Sequence, residues 1–104
     1  MTSKYHAKKT TVDGITFDSK KEAERWTELK ILERAGVIEQ LKRQVKFELI
    51  PKLPGERAVN YYADFTYLCN GKLVVEDVKG YKTPVYRLKR LLMLWLHQIR
   101  VKEV

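Results

Sequence analysis

The dipeptide Asn70-Gly71 constrains the fold of this chain more than any other feature of its sequence. It lies between two β-favouring runs, and Asn-Gly in that position is the strongest short-range signal for a two-residue hairpin turn. Such a turn fixes the register of the two strands. Provided that no bulge intervenes, Asp64 on the first strand is therefore predicted to lie directly opposite Asp77 on the second.

The predicted Asp64–Asp77 pair is unusual, because like charges placed opposite each other destabilise a sheet. Their Cβ atoms would lie about 4.5–5.5 Å apart. A bound divalent cation reverses the sign of this interaction, since hard metals seek carboxylate oxygens. Strand alternation places Lys79 on the same face as Asp77 and turns Glu76 toward the opposite face, where it is predicted to meet solvent.

The remaining signals give an element order of α-β-β-β-α-β after a short hairpin. Turn, capping and periodicity signals define each element. Ser19 is the predicted N-cap of the first helix, and Thr83 is that of the second, with Pro84 as its first residue. A strand–helix–strand crossover at the end requires a parallel pair. The chain is thus predicted to be one α/β (α+β) domain over 1–104, with a mixed sheet flanked by helices. The predicted parts are a flexible basic arm over 1–9, a hairpin over 10–17 turning at Asp13-Gly14, a helix over 20–35, strands over 44–50, 59–68 and 72–79, a helix over 84–97 and a short strand over 99–104.

The first predicted helix places a third acid on its core-facing side. Glu22 lies four residues before Trp26 and seven before Leu29, on the apolar stripe, whereas Glu24 points toward solvent. The Ser-x-x-Glu spacing also fits a capping box, in which Glu22 reaches back to Ser19. The two roles are compatible, and the sequence leaves both open.

Charge is distributed unevenly along the chain. The net charge is +8, and the final 26 residues hold seven Lys or Arg and one acid. A basic surface favours polyanions, of which nucleic acid is the most common, although a merely soluble basic protein has the same composition. A single cysteine excludes an internal disulfide, and no apolar run is long enough to span a bilayer.

Two or three carboxylates beside one lysine suggest metal-assisted hydrolysis. Asp64 and Asp77 would hold Mg²⁺ or Mn²⁺, and Glu22 would orient a water molecule or hold a second ion. Lys79 would orient the attacking water and stabilise charge on the phosphate. The basic final third would bind the phosphate backbone of DNA. Together these residues favour phosphodiester cleavage over other reactions.

Asp64, preceded by Ala63 and followed on the next strand by Asp77-Val78-Lys79, resembles the signature of the PD-(D/E)XK nuclease superfamily. Ala63 stands where the name of the family has proline. The α-β-β-β-α-β order is similar to the core of that family, and "SKKEAERW" resembles its first-helix glutamate motif, which carries over to Glu22. The resemblance implies a restriction-endonuclease-like fold and a metal-dependent endodeoxyribonuclease, with catalytic residues Glu22, Asp64, Asp77 and Lys79, of which the three acids bind Mg²⁺ or Mn²⁺.

The small size of the chain most resembles a phage-encoded branch of the superfamily, the Holliday-junction resolvases and structure-selective endonucleases. That resemblance implies branched DNA as a substrate and the cytoplasm of a bacterial host as the location. Many such enzymes are homodimers. The alternative from a different class is a non-catalytic, basic nucleic-acid-binding protein on a degenerate nuclease fold.

The second predicted helix has more apolar residues than one face can hold. Its predicted core stripe consists of Val85, Leu88, Leu92, Trp95 and Leu96. Further apolar residues continue around the helix, which predicts homodimerisation through or near it. No membrane association is expected, because the longest apolar run is too short to span a bilayer. The predicted nucleic-acid contacts are Lys82, Arg87, Lys89, Arg90 and Tyr81, although a solvated basic face is the plainer interpretation of the basic residues.

Overall fold

The computed structural model describes residues 8–78 and 83–104, which form an α+β domain with a mixed sheet and two helices. The predicted catalytic Lys79, the predicted nucleic-acid contacts Tyr81 and Lys82, and most of the predicted basic arm lie outside the described residues. No helix in the described part of the chain is long and apolar enough to cross a membrane.

The observed order of elements confirms the predicted one. A two-stranded hairpin, β1 (Thr10–Val12) and β2 (Ile15–Phe17), precedes helix α1 (Lys20–Arg34). The later elements are β3 (Glu39–Ile50), β4 (Val59–Cys69), β5 (Lys72–Asp77), α2 (Pro84–His97) and β6 (Lys102–Glu103). Strand β4 is antiparallel to its neighbours β3 and β5, and α2 leads to β6, which is parallel to β5. The sheet order is β3-β4-β5-β6.

Both predicted hairpin turns are present. Asp13 and Gly14 have φ angles of 53° and 75°, and Asn70 and Gly71 have the same values. Two consecutive residues with positive φ are what a type I′ turn requires, and this turn matches the twist of the flanking strands. The β4–β5 ladder follows the predicted register from Cys69–Lys72 inward.

The helices begin at the predicted capping residues. The Ser19 hydroxyl accepts a hydrogen bond of 3.1 Å from the Glu22 N–H at the start of α1. The Thr83 hydroxyl accepts one of 3.0 Å from the Tyr86 N–H at the start of α2, where Pro84 is the first helical residue. These bonds satisfy N–H groups that have no partner inside the helix.

Two hydrophobic clusters lie on opposite faces of the sheet. Val78 packs with α1 residues such as Trp26 and Leu29, whereas Val75 packs with Met93 of α2. Residues 75 and 78 differ by an odd number of positions, so they face opposite sides of an extended chain. The sheet is therefore covered by α1 on one face and by α2 on the other.

The alternation of side chains along β4 changes its facing at Asp64: odd-numbered residues point toward α2 before this position and toward α1 after it. Tyr61 and Ala63 belong to the α2-side cluster, whereas Phe65 and Tyr67 belong to the α1-side cluster, although all four have odd numbers. Regular alternation would place them on one face. On the neighbouring strand Gln44, with a φ of 53°, lies between the residues that pair with Phe65 and Ala63. A left-handed residue inside a strand adds local twist.

The predicted core stripe of α2 is wrong. Met93 is fully buried and Tyr86 is half-buried on the face that contacts the sheet. Leu92 is half-buried, and the other residues of the predicted stripe are exposed. Apolar residues occur nearly all around this helix, so periodicity alone could not select the buried face. The exposed members are Val85, Leu88, Trp95 and Leu96.

Candidate active site

Asp64 and Asp77 are both buried near the end of β5, each with 2% of its surface exposed. The backbone N–H of Val78 donates a hydrogen bond of 2.7 Å to Oδ2 of Asp64. The Tyr61 hydroxyl donates one of 2.8 Å to Oδ2 of Asp77. Each carboxylate is therefore held through at least one oxygen by the protein, which offsets the cost of burying its charge.

The predicted direct pairing of the two aspartates lies one position beyond the last pair of the ladder, Phe65–Glu76. The sequence argument assumed that no bulge lies between the turn and the aspartates, and the ladder keeps the predicted register as far as it extends. The Asp64 carboxylate accepts a hydrogen bond from the backbone of Val78, the residue after Asp77. The side chain of Gln44 approaches the other oxygen of Asp64 from β3, with an Nε2–Oδ1 distance of 3.4 Å.

The hydroxyl of Tyr61 lies close enough to both aspartates for the charge of each to change its pKa. Burial raises the pKa of Tyr61 above its ordinary value, and the charge and hydrogen bond of Asp77 and then the charge of Asp64 raise it further. A neutral phenol remains a hydrogen-bond donor, so Tyr61 continues to hold Asp77 at neutral and alkaline pH. The structure thus brings Asp64, Asp77 and Tyr61 together.

Glu22 is buried at the start of α1, on the same side of the helix as Ala23, Trp26 and Leu29. The prediction that Glu22 faces the core is confirmed, and Glu24 is exposed as predicted. Within residues 8–78 and 83–104, no three Asp, Glu, His or Cys side chains form a group suited to holding one ion. The three predicted acids therefore do not form a closed three-carboxylate cage in the described part of the chain.

The prediction that Glu76 faces solvent is wrong, because this residue is completely buried. Arg25 of α1 donates two hydrogen bonds to its carboxylate, from Nε at 2.8 Å and from Nη2 at 2.6 Å. The Tyr67 hydroxyl of β4 donates a third. Strand alternation correctly turned Glu76 away from Asp77, but it could not show that α1 covers that face as well.

The environment of Glu76 keeps it ionised. Burial acts to raise the pKa of this carboxyl, but the hydrogen bonds from Arg25 and Tyr67 and the positive charge of Arg25 outweigh burial and lower it. Burial and the hydrogen bond to Glu76 raise the pKa of Tyr67 to about 12. This triad of Arg25, Glu76 and Tyr67 ties the start of α1 to the end of β5.

A cleft of about 230 Å³ opens beside Asp77. Three tyrosines, Thr83 and Lys89 are among its lining residues. Tyr61 donates to Asp77, and the Tyr86 hydroxyl donates to Glu103 at 2.8 Å. In the described part of the chain, no hydrogen bond or ion pair engages the hydroxyl of the third tyrosine, Tyr62, or the Lys89 ammonium. These two groups are available to a ligand.

The predicted nucleic-acid contacts on α2 occupy different environments. Arg87 is exposed, and Lys89 lines the cleft beside Asp77. Arg90 is half-buried and lies 3.8 Å from Glu103 of β6, so this residue also helps to attach α2 to the sheet. Arg87 and Arg90 line a neighbouring cleft of about 440 Å³. Basic side chains thus extend from the aspartates along the start of α2.

Sequence reasoning missed the residues that hold the acids in place. Tyr61, Tyr67 and Arg25 are ordinary strand and helix residues by composition, and Arg25 lies 51 positions from Glu76. The one available signal was the position of Arg25, one helical turn after Glu22, where both share a side of α1. No pattern in the sequence pairs that position with β5.

No curated protein matches this chain, and no solved structure does. A family model described as a protein of unknown function, DUF1064, matches residues 2–103. The match covers almost the whole chain, and the chain therefore belongs to the DUF1064 family.

Proposed function

We propose that this protein is a divalent-metal-dependent DNA endonuclease that hydrolyses phosphodiester bonds with Glu22, Asp64, Asp77 and Lys79. The observation that carries the proposal is the pair of buried aspartates, of which Asp77 lines a cleft that also presents Lys89 and Tyr62. The α-β-β-β-α-β order and the mixed sheet support a restriction-endonuclease-like core. The resemblance to PD-(D/E)XK nucleases provides the same assignment from the sequence.

The donor set around Asp64 and Asp77 fits Mg²⁺ or Mn²⁺. Magnesium is usually bound through one or two carboxylates together with water and substrate phosphate, rather than in a cage made only of protein. A closed three-acid group is therefore not required, and Glu22 would act from α1 through water. When bound, the ion would supply Lewis-acid stabilisation of charge on the phosphate.

The protein's own residues would perform three tasks. Tyr61 and the Val78 N–H hold one oxygen of each aspartate, so the orientation of both carboxylates is set before substrate arrives. The triad of Arg25, Glu76 and Tyr67 holds the helix that carries Glu22 against β5. Lys79, two residues after Asp77 in the sequence, would orient the attacking water and stabilise the phosphate.

The cleft beside Asp77 would receive the DNA strand. Tyr62 is 51% exposed and offers a ring face on which a base can stack. Lys89 offers a cation to a backbone phosphate, and Arg87 and Arg90 extend the basic surface along α2. A short, open cleft of this kind suits a splayed strand better than an intact duplex. We therefore propose branched DNA, such as a four-way junction, as the preferred substrate.

A second candidate is a non-catalytic nucleic-acid-binding protein on the same fold. The observation that favours it is that protein donors already hold one oxygen of each aspartate. Carboxylates satisfied in this way can be structural. The basic cleft would then bind nucleic acid without cleaving it.

Cleavage assays on supercoiled, linear and four-way-junction DNA with Mg²⁺ or Mn²⁺ separate the two functions. We expect Asp64→Asn, Asp77→Asn and Glu22→Gln each to lower the rate by about 100-fold or more, which corresponds to roughly 2.7 kcal/mol of transition-state stabilisation. Glu24→Gln and Asp18→Asn remove the same charges at exposed positions and should leave the rate unchanged. If wild type shows no metal-dependent cleavage beyond that of Asp77→Asn while still binding the junction, the non-catalytic function is correct.

A further inference from the structure

Helix α2 exposes an apolar face that carries no charged residue. At about 100° per residue, Leu88 and Trp95 lie on the side opposite Tyr86 and Met93, which contact the sheet, and Val85 lies at the edge of that side. The exposed fractions are 62% for Val85, 58% for Leu88 and 77% for Trp95. Leu91 and Leu96 enlarge the same face. Arg87 and Lys89 lie at its edges and Arg90 lies nearer the sheet, so the face is uncharged along about three helical turns.

The exposed apolar surface of this face is large for a chain of 104 residues. Its five exposed side chains present roughly 500 Å² of apolar surface, which is near the upper end of the largest patches found on monomeric proteins. Two such faces together would bury about 1,000 Å², at the threshold for a specific interface before any contribution from flanking residues. The area is thus sufficient for a dimer of moderate affinity.

We propose that a second copy of this chain covers the apolar face of α2, with the two helices antiparallel about a two-fold axis. The face is self-complementary, because it has no charge that would repel its copy. An antiparallel arrangement also places the basic first turns of each α2, including Arg87, near the carbonyl end of the other helix, where cations are favoured. An isologous interface of this kind closes at two copies.

Net charge argues for an apolar rather than an ionic interface. Each copy carries a formal charge of +8, so two copies repel each other at long range. Salt screens that repulsion and strengthens apolar burial. The proposed dimer should therefore become tighter as salt is raised, whereas binding of nucleic acid by the same chain becomes weaker. The proposal does not depend on catalytic activity.

Sedimentation velocity of the full chain, freed of nucleic acid by nuclease treatment and high-salt washing, tests the dimer. We expect a concentration-dependent monomer–dimer equilibrium that shifts toward dimer between 0.1 and 0.5 M NaCl, on the order of the range over which surface charges become screened. Leu88→Glu and Trp95→Glu should each weaken association by about 30-fold or more, as for central interface residues. Ile31→Glu is the matched control, because Ile31 is an equally exposed apolar residue on α1, with 58% of its surface accessible.

Tryptophan fluorescence provides a second readout. The chain has two tryptophans, and Trp26 is buried in the core. Acrylamide should therefore quench chiefly Trp95 in dilute protein, and this quenching should decrease as the concentration rises. Circular dichroism should show that the glutamate variants remain folded, since the substituted positions are exposed. A chain that stays monomeric at high concentration, a dimer that Leu88→Glu leaves intact, or a dimer that dissociates at high salt would each overturn the proposal.

Discussion

Arg25 of α1 binds both carboxylate oxygens of Glu76 on β5, with N–O distances of 2.8 and 2.6 Å. Glu22 lies one helical turn before Arg25, and Asp77 follows Glu76 directly. The ion pair therefore fixes the distance between two elements that each carry an acid of the proposed site. Charges on the buried side of a small domain are costly, and a bidentate pair with a third donor is one of the few arrangements that offsets the cost.

Removing Arg25 should destabilise the protein strongly, because it leaves the charge of Glu76 buried without its partner. For Arg25→Met we expect a loss of about 3 kcal/mol in the free energy of unfolding, measured by urea denaturation. The double variant Arg25→Met/Glu76→Gln should recover part of that loss. Glu28→Gln removes the exposed neighbour 3.6 Å from Arg25 and should cost less than about 1 kcal/mol. Equal losses of unfolding free energy in Arg25→Met and Glu28→Gln would contradict the assignment of Arg25 as the partner that offsets the buried charge of Glu76.

Acid should remove the stabilisation that Glu76 provides. The pKa of Glu76 is lower in the folded protein than its ordinary value of 4.5, so the unfolded chain takes up a proton first as the pH falls. The contribution of Glu76 is thus fully present above about pH 4.5 and is lost as the pH falls through the lowered pKa. In metal-free buffer, the difference in unfolding free energy between wild type and Glu76→Gln should be constant from pH 7 to about pH 5 and shrink below that. A difference that grows in acid would show that the pKa is raised instead.

Mg²⁺ or Mn²⁺ should stabilise the folded protein through Asp64 and Asp77. A ligand that binds only the folded state at about ten times its dissociation constant adds roughly 1.4 kcal/mol, or about 5–10 °C in Tm for a domain of this size. Scanning calorimetry at constant ionic strength should show this shift in wild type. Asp77→Asn should abolish the shift, and Asp18→Asn, an exposed position, should retain it. A shift of equal size in Asp77→Asn would place the ion elsewhere.

Tyr62 should contribute to DNA binding through its ring rather than its hydroxyl. In an Asp77→Asn background, chosen to suppress the proposed cleavage, Tyr62→Ala should weaken binding of a labelled four-way junction by roughly 5- to 150-fold, the range for loss of one stacked base. Tyr62→Phe keeps the ring and should bind as the parent does. Fluorescence anisotropy measures both affinities. If Tyr62→Phe and Tyr62→Ala weaken binding equally, the hydroxyl of Tyr62, and not its ring, provides the contact with DNA.

Lys89 should contribute a contact to a DNA phosphate, and this contact should add to the salt dependence of the affinity. Lys89→Ala is expected to reduce the slope of log affinity against log salt concentration by about 1, with little change in the preference among DNA shapes. Lys72→Ala is the matched control, because Lys72 begins β5 at the end opposite Asp77. An unchanged salt slope in Lys89→Ala would remove this lysine from the DNA interface.

Local signals predicted most of the fold. The Asp13-Gly14 and Asn70-Gly71 turns, the Ser19 cap and the Thr83-Pro84 start are each decided by a few adjacent residues, and all are present. The register that follows from Asn70-Gly71 holds as far as Phe65–Glu76. These features depend on backbone conformation and short contacts, which the sequence specifies directly.

Features that depend on two distant segments were not predicted. Periodicity showed that α2 is apolar but could not show that Met93, rather than Leu88, meets the sheet. Alternation placed Glu76 on one face without revealing the helix that covers it. The change of facing at Asp64 coincides with the left-handed Gln44 of the neighbouring strand, which no local pattern links to it. Strand β3 also begins at Glu39, five residues before its predicted start.

The change of facing at Asp64 limits where this family can gain or lose residues. Deleting or inserting one residue in β4 on either side of Asp64 would turn half of the strand over, and would exchange the residues beneath α1 with those beneath α2. The irregular segment between β3 and β4, by contrast, has exposed residues and can change length at little cost. Length variation among family members should therefore be concentrated there, and β4 should align without gaps.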